Sequence, residues 1–139
     1  MDAPCHPGSL AAIRHGLQVM RASRQQRAGD TLVAIVEHLR LKVPSGGREA
    51  WIQAEHETWD PWLRQQKGFV EREVLWDSAR GEGVLLIHWA SDDDWKAIPA
   101  GAVAAVQARF EAAAKRCLAL PPQSENPFPL VFAGEIQQS

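Results

Sequence analysis

The sequence predicts an α+β fold, a ferredoxin-like βαββαβ plait with a four-stranded antiparallel sheet and its helices on one face. Three observations predict it. From Thr31 onward, strand-like and helix-like stretches follow in the order strand, helix, strand, strand, helix, strand, the order of a split βαβ unit. The stretch Val84–Ala90 is apolar at successive positions, as a central strand covered on both faces requires. Six tryptophans and no tyrosine are grouped on the elements of this region, where large flat indoles can fill the space between sheet and helices.

The residues before Thr31 read differently. Arg14, Arg21, Arg24 and Arg27 outnumber Asp2 and Asp30. Leu10, Ile13, Leu17 and Met20 recur at three- and four-residue spacing, so Ser9 to Arg27 can form one amphipathic helix. Residues 1–30 are thus expected as an extension of the domain that spans 31–139. It is read as a weakly ordered appendage, a helix docked on the domain or a partner, or a basic membrane-surface or targeting helix.

Leu32 to Val43 is the first strand, with Leu39, Leu41 and Val43 pointing one way and His38, Arg40 and Lys42 the other. Pro44 to Gly47 ends it. Arg48 to Gln66 is a helix with Trp51, Ile52, Trp59, Trp62 and Leu63 along its apolar stripe. Pro61 interrupts it, and a kink or break is expected there with Asp60 as the new cap. Phe69 to Trp76 is the second strand, carrying Glu71, Arg72 and Glu73 among apolar positions, and Asp77 to Gly83 is a hairpin-type loop. Ser91 with Asp92, Asp93 and Asp94 starts a helix, because a hydroxyl cap and three carboxylates suit the positive end of its dipole. Pro99 divides that short helix from a longer one, on which Val103, Val106, Phe110, Ala114 and Cys117 recur at helical spacing. Pro121 and Pro122 stop it, and Leu130 to Ile136 is the last strand. Both faces of the third strand are largely apolar, so the sheet face without helices is expected to pack against its counterpart in a homodimer.

Composition bounds the function. A chain of 139 residues with 45% hydrophobic and 23% charged residues is an ordinary globular domain with a core that needs no staples. A net charge of −2 excludes a general nucleic-acid binder. No apolar run approaches the roughly 20 residues that span a bilayer. The N-terminus lacks the apolar stretch of a secretory signal, and the expected location is cytoplasmic. Cys5 and Cys117 make neither a metal spacing nor a disulfide framework, and Cys117 reads as a small buried apolar residue.

The polar pair His38 and His88 carries the candidate chemistry. They fall on the first and third strands, which are neighbours in such a sheet. An imidazole buried there can act as general base, proton shuttle or metal ligand, or can be a hydrogen-bonded structural histidine. Two histidines fall short of the three or four ligands of zinc or iron, although Glu37 or Glu71 could complete a set. No metal and no cofactor are therefore expected. Arg40, Glu37, Glu71 and Glu73 read as solvated sheet-edge charges or as ion pairs across a dimer. Helix capping accounts for Asp92 to Asp94, which lack the spacing and glycine of a calcium loop. No phosphate-binding loop and no nucleophile elbow occurs.

Val36 to Val43 (VEHLRLKV) and Trp89 to Pro99 (WASDDDWKAIP) carry a resemblance. Over roughly residues 33–110 the chain resembles a small cyanobacterial family within the antibiotic biosynthesis monooxygenase-like superfamily of dimeric α+β barrels. The resemblance implies a homodimer in which two four-stranded sheets face each other. Its members include cofactor-independent monooxygenases of polycyclic phenols, haem-degrading enzymes and small isomerases. The oxygenases place an asparagine, a tryptophan and a tyrosine or histidine around the substrate. This chain has no tyrosine, and its one asparagine is Asn126. An oxygenase here would stack an electron-rich aromatic substrate against Trp62, Trp76 or Trp89, and His38 or His88 would remove its proton. Arg40 would then stabilise the anion that reduces oxygen. The alternatives are a dimeric module holding a flat hydrophobic ligand such as haem, and a scaffold without ligand.

Overall fold

The computed structural model describes residues 35–137. The extension expected over residues 1–30, and the opening residues of the first expected strand, lie outside the described residues. Eight elements follow in order: β1 (Ile35–Lys42), α1 (Arg48–Glu57), α2 (Trp59–Arg64), β2 (Phe69–Asp77), β3 (Glu82–Trp89), α3 (Asp92–Lys96), α4 (Ala100–Cys117) and β4 (Leu130–Gln137). The fold is α+β, with a four-stranded sheet of order β2-β3-β1-β4 in which every neighbouring pair is antiparallel.

The helix expected over Arg48–Gln66 is two helices, and the break falls at Thr58 rather than at Asp60. Pro61 has no N–H with which to bond the carbonyl four residues back, so an unbroken helix would leave Glu57 unsatisfied. Restarting at Trp59 puts Pro61 in a first turn, where no donor is needed. The Thr58 hydroxyl donates to the Ala54 carbonyl at 2.7 Å and closes α1. β2 and β3 form a hairpin that turns through Gly81, whose φ of +64° strains any residue with a Cβ. Asp77 holds the turn by accepting from the Arg80 backbone N–H at 3.1 Å. Ser91 caps α3, accepting from the Asp94 N–H at 3.1 Å. On α4 the buried stripe is Val106, Phe110, Ala113 and Ala114. Val103, expected on that stripe, is exposed, because it lies one turn before the helix reaches the sheet-side core. Cys117, expected as buried, is half-buried at the helix end and packs on the edge of the core.

The core lies between the helices and one face of the sheet. Trp51, Ile52 and Ala54 of α1 meet Phe110, Ala113 and Ala114 of α4 over Leu41 and Leu85. A second cluster joins Leu63 of α2 to Ile87 and Trp89, with Trp95 and Ile98 packed against it. Gly83 is required by this packing, since a Cβ there would run into the Trp51 ring. Two of the six tryptophans, Trp51 and Trp89, are fully buried core residues, and the other four are half-buried. Within this apolar layer Arg72 of β2 and Glu55 of α1 form a buried ion pair. The sheet thus has a helix face, carrying Leu39, Leu41, Leu85, Ile87, Trp89, Val74 and Trp76. Ile35, Glu37, Phe69 and Arg72 share that face by register, and strand alternation sends the side chains between these positions to a far face on which no described helix packs.

Candidate functional site

The far face is where the polar side chains collect. In register across β4, β1, β3 and β2 run Ile136, Val36, His88 and Glu71. The next row is Gly134, His38, Leu86 and Glu73, and the one after it Phe132, Arg40, Val84 and Leu75. Glu71 reaches this face because of a register shift between Phe69 and Glu71. There two residues of β2 oppose one of β3, as in a β-bulge, and side-chain parity reverses. Phe69 therefore packs edge-on against Trp89 on the helix side, with ring centroids 6.0 Å apart. Glu71, two positions along, faces His88 on the other side.

His88 is the centre of one group. Its Nε2 lies 3.0 Å from Glu73 Oε1 and 3.7 Å from Glu71 Oε1. His88 is only 6% exposed and Glu71 not at all. The Nδ1 atom of His88 is also buried and has no hydrogen-bond partner among the described residues. Each of the three side chains offers one ligand atom, and these atoms all lie within 4.8 Å of one another. Two carboxylates and an imidazole in one small volume can share a proton or hold a cation.

His38 and Arg40 form the second group. Arg40 Nε donates to His38 Nε2 at 3.2 Å, and its Nη1 reaches Asp77 Oδ2 at 2.8 Å and Glu82 Oε1 at 3.2 Å. These bonds raise the Arg40 pKa further and draw Asp77 down. Desolvation, with the Arg40 charge as a second cause, lowers the His38 pKa from its ordinary 6.5. The imidazole is therefore neutral at neutral pH. Gly134, opposite His38, leaves room for the Phe132 ring, whose centroid lies 4.9 Å from that of His38.

The residues proposed from sequence are thus only partly brought together. His38, His88 and Arg40 share the far face, but the two histidines sit two residues out of register, each with its own partners. Trp76 and Trp89 lie on the helix face, and Trp62 packs there with Trp59, ring centroids 5.5 Å apart. The sheet separates these indoles from the imidazoles. Trp89 donates its N–H to Glu37 Oε1 at 3.2 Å. Burial pushes the Glu37 pKa up, against the pull of this bond and of Lys96. Glu37 is thus engaged by Trp89 on the helix side, whereas Glu71 stands 3.7 Å from His88. Glu73 was not among the expected site residues. Its signal was alternation with Glu71 on one strand, and the bulge that aims both at His88 leaves no mark in composition.

Comparisons with protein-family models, with curated proteins and with solved structures return no match for this chain. Among the described residues no helix is long and apolar enough to cross a membrane. A groove of about 820 Å³ runs over α4, past Ala108, Glu111, Ala112, Lys115 and Leu120, and none of the expected site residues lines it.

Proposed function

We propose that this chain is a homodimeric α+β barrel protein of the antibiotic biosynthesis monooxygenase-like kind, with a ferredoxin-like plait as its subunit. Its ligand site would lie on the far face of the sheet, which dimerisation encloses. The all-antiparallel order β2-β3-β1-β4, with helices in the β1–β2 and β3–β4 connections, supports the plait. The observation that carries the proposal is the set of exposed apolar side chains on that face. Leu75, Phe132 and Ile136 are 41%, 46% and 46% exposed and flank the two histidine groups. Apolar area left in water costs about 25 cal/mol per Å², and a two-fold axis lets the same patch cover itself. Charge favours a second copy as the occupant. Arg40 is already neutralised by Asp77 and Glu82 of its own chain, so apposed copies need not leave that cation unpaired.

In the enzymatic reading an electron-rich aromatic substrate stacks beside Phe132, and neutral His38 takes its phenolic proton. The anion then reduces dioxygen directly. One oxygen atom enters the substrate and the other leaves as water, and the substrate supplies all four electrons, ending as a quinone. The hydrogen bond from Arg40 Nε to His38 Nε2 favours a second reading, because the lone pair of the base is already engaged. In that reading the same face holds a flat hydrophobic ligand such as haem without turnover. Oxygen uptake with quinol-type substrates, beside an absorbance titration with haem, separates them. The enzymatic reading expects uptake that falls roughly a hundredfold or more in His38→Ala. Saturable haem binding at a defined ratio without uptake establishes the second reading, and neither signal overturns both.

A further inference from the structure

We infer that His88, Glu71 and Glu73 form a binding site for one divalent first-row transition-metal ion per chain. The inference rests on side chains of a single subunit and depends neither on dimerisation nor on turnover. The geometry comes first. A metal bonded to nitrogen and oxygen at roughly 2.0–2.2 Å holds adjacent ligand atoms about 3.0–3.5 Å apart. His88 Nε2 stands 3.0 Å from Glu73 Oε1 and 3.7 Å from Glu71 Oε1, so small side-chain rotations bring the set to that spacing. The donor set comes second. One imidazole and two carboxylates suit manganese, ferrous iron, cobalt or zinc, whereas magnesium and calcium prefer oxygen alone. A divalent ion with two carboxylates and a neutral imidazole is also electrically neutral, which lowers the cost of its burial.

The backbone supports the same conclusion. The register shift before Glu71 reverses the parity of β2, so that Glu71 and Glu73 both face His88 while Phe69 stays in the core. Bulges are enriched beside active sites, where they re-aim a side chain. His88 is held on β3, between β1 and β2, and is 94% buried by its 6% exposure. Three protein ligands leave further coordination positions for water or a ligand atom, as catalytic sites do and closed structural sites do not.

The test uses the full chain, freed of metal by a chelator and titrated separately with Mn²⁺, Co²⁺, Zn²⁺ and Mg²⁺. Calorimetry should give one site per chain for the transition metals and much weaker binding of Mg²⁺. The Co²⁺ visible bands should appear at the same stoichiometry. Glu73→Gln and His88→Gln should each weaken binding by at least about tenfold, with circular dichroism unchanged. Should either variant fail to fold, Glu71→Gln provides the same comparison, and retention of a metal-induced rise in melting temperature is read alongside. The inference is overturned if the wild-type chain shows no saturable binding. It is equally overturned if folded variants bind as tightly as the wild type, which would assign the metal to other groups.

Discussion

Arg72 Nη1 donates to Glu55 Oε1 at 2.5 Å, and both side chains are 1% exposed. This pair ties β2 to α1 through the middle of an otherwise apolar layer. Glu55 is fixed further by the Trp51 indole N–H, which donates to its other oxygen at 3.1 Å. Burial pushes the Glu55 pKa up while Arg72 pulls it back. Removing the cation would leave a carboxylate with no compensating charge at that distance.

Arg72→Met should therefore cost about 3–5 kcal/mol, the usual penalty for stranding one half of a buried pair. The double variant Arg72→Met, Glu55→Gln should recover most of that loss, because an amide still accepts from Trp51 and carries no charge. Urea denaturation of the three proteins measures this. Equal stability of the single and double variants would show that the charge on Glu55 is not the cause.

Gly83→Ala should destabilise by roughly 1–3 kcal/mol through overpacking. The new methyl would occupy space held by the Trp51 ring, and that ring is fixed by Glu55 and by its contact with Trp76. Near-ultraviolet circular dichroism should change with it, since an indole must move. Ser91→Ala tests a cap instead and should cost about 1 kcal/mol. Both are read from melting curves.

Glu37 makes stability depend on pH with a definite sign. Its folded-state pKa is raised above the ordinary 4.5, chiefly by desolvation. Its contribution is thus fully present below 4.5 and is lost as pH rises through the raised value. Glu37→Gln keeps an acceptor for the Trp89 indole and removes the titration. The variant should be more stable than the wild type at neutral pH, and the difference should shrink as pH falls through the raised value toward 4.5. A pH-independent difference would contradict the assignment.

His38 shifts the other way. Lowered from 6.5, it stays neutral in the folded chain where the unfolded chain takes up a proton. Stability should then fall as pH drops below 6.5, until His38 itself is protonated. Any uptake that uses it as a base should show its acid limb below 6.5. An NMR titration of the His38 ring gives the value directly, and a midpoint above 6.5 would reverse both expectations.

Much of the fold was legible because hydrophobic alternation and capping act locally. The strand pattern of Leu39, Leu41 and Val43, the cap at Ser91 and the prolines after Leu120 each specify an element without tertiary help. The break at Thr58 was displaced because a hydroxyl-to-carbonyl bond within α1 competes with the cap expected at Asp60. The site was less legible. Alternation put His38 and Arg40 on one face and strand order set His88 on a neighbouring strand, but the face on which the tryptophans lie depends on register. The convergence of Glu71 and Glu73 on His88 depends on one bulge, which periodicity cannot reveal. Arg72 and Glu55 were missed as a pair because they lie 17 residues apart on elements whose packing had first to be known.

The proposed dimer brings two copies of the chain together through the far face of the sheet. Light scattering coupled to size exclusion tests it most directly, on the full chain and on a Leu75→Glu, Phe132→Glu variant. These two residues lie on that face at opposite edges of the sheet and leave His88, Glu71 and Glu73 untouched. The wild type should show twice the chain mass at micromolar concentration, and a folded variant the single chain mass. A wild-type monomer, or a variant that remains a dimer, would contradict it.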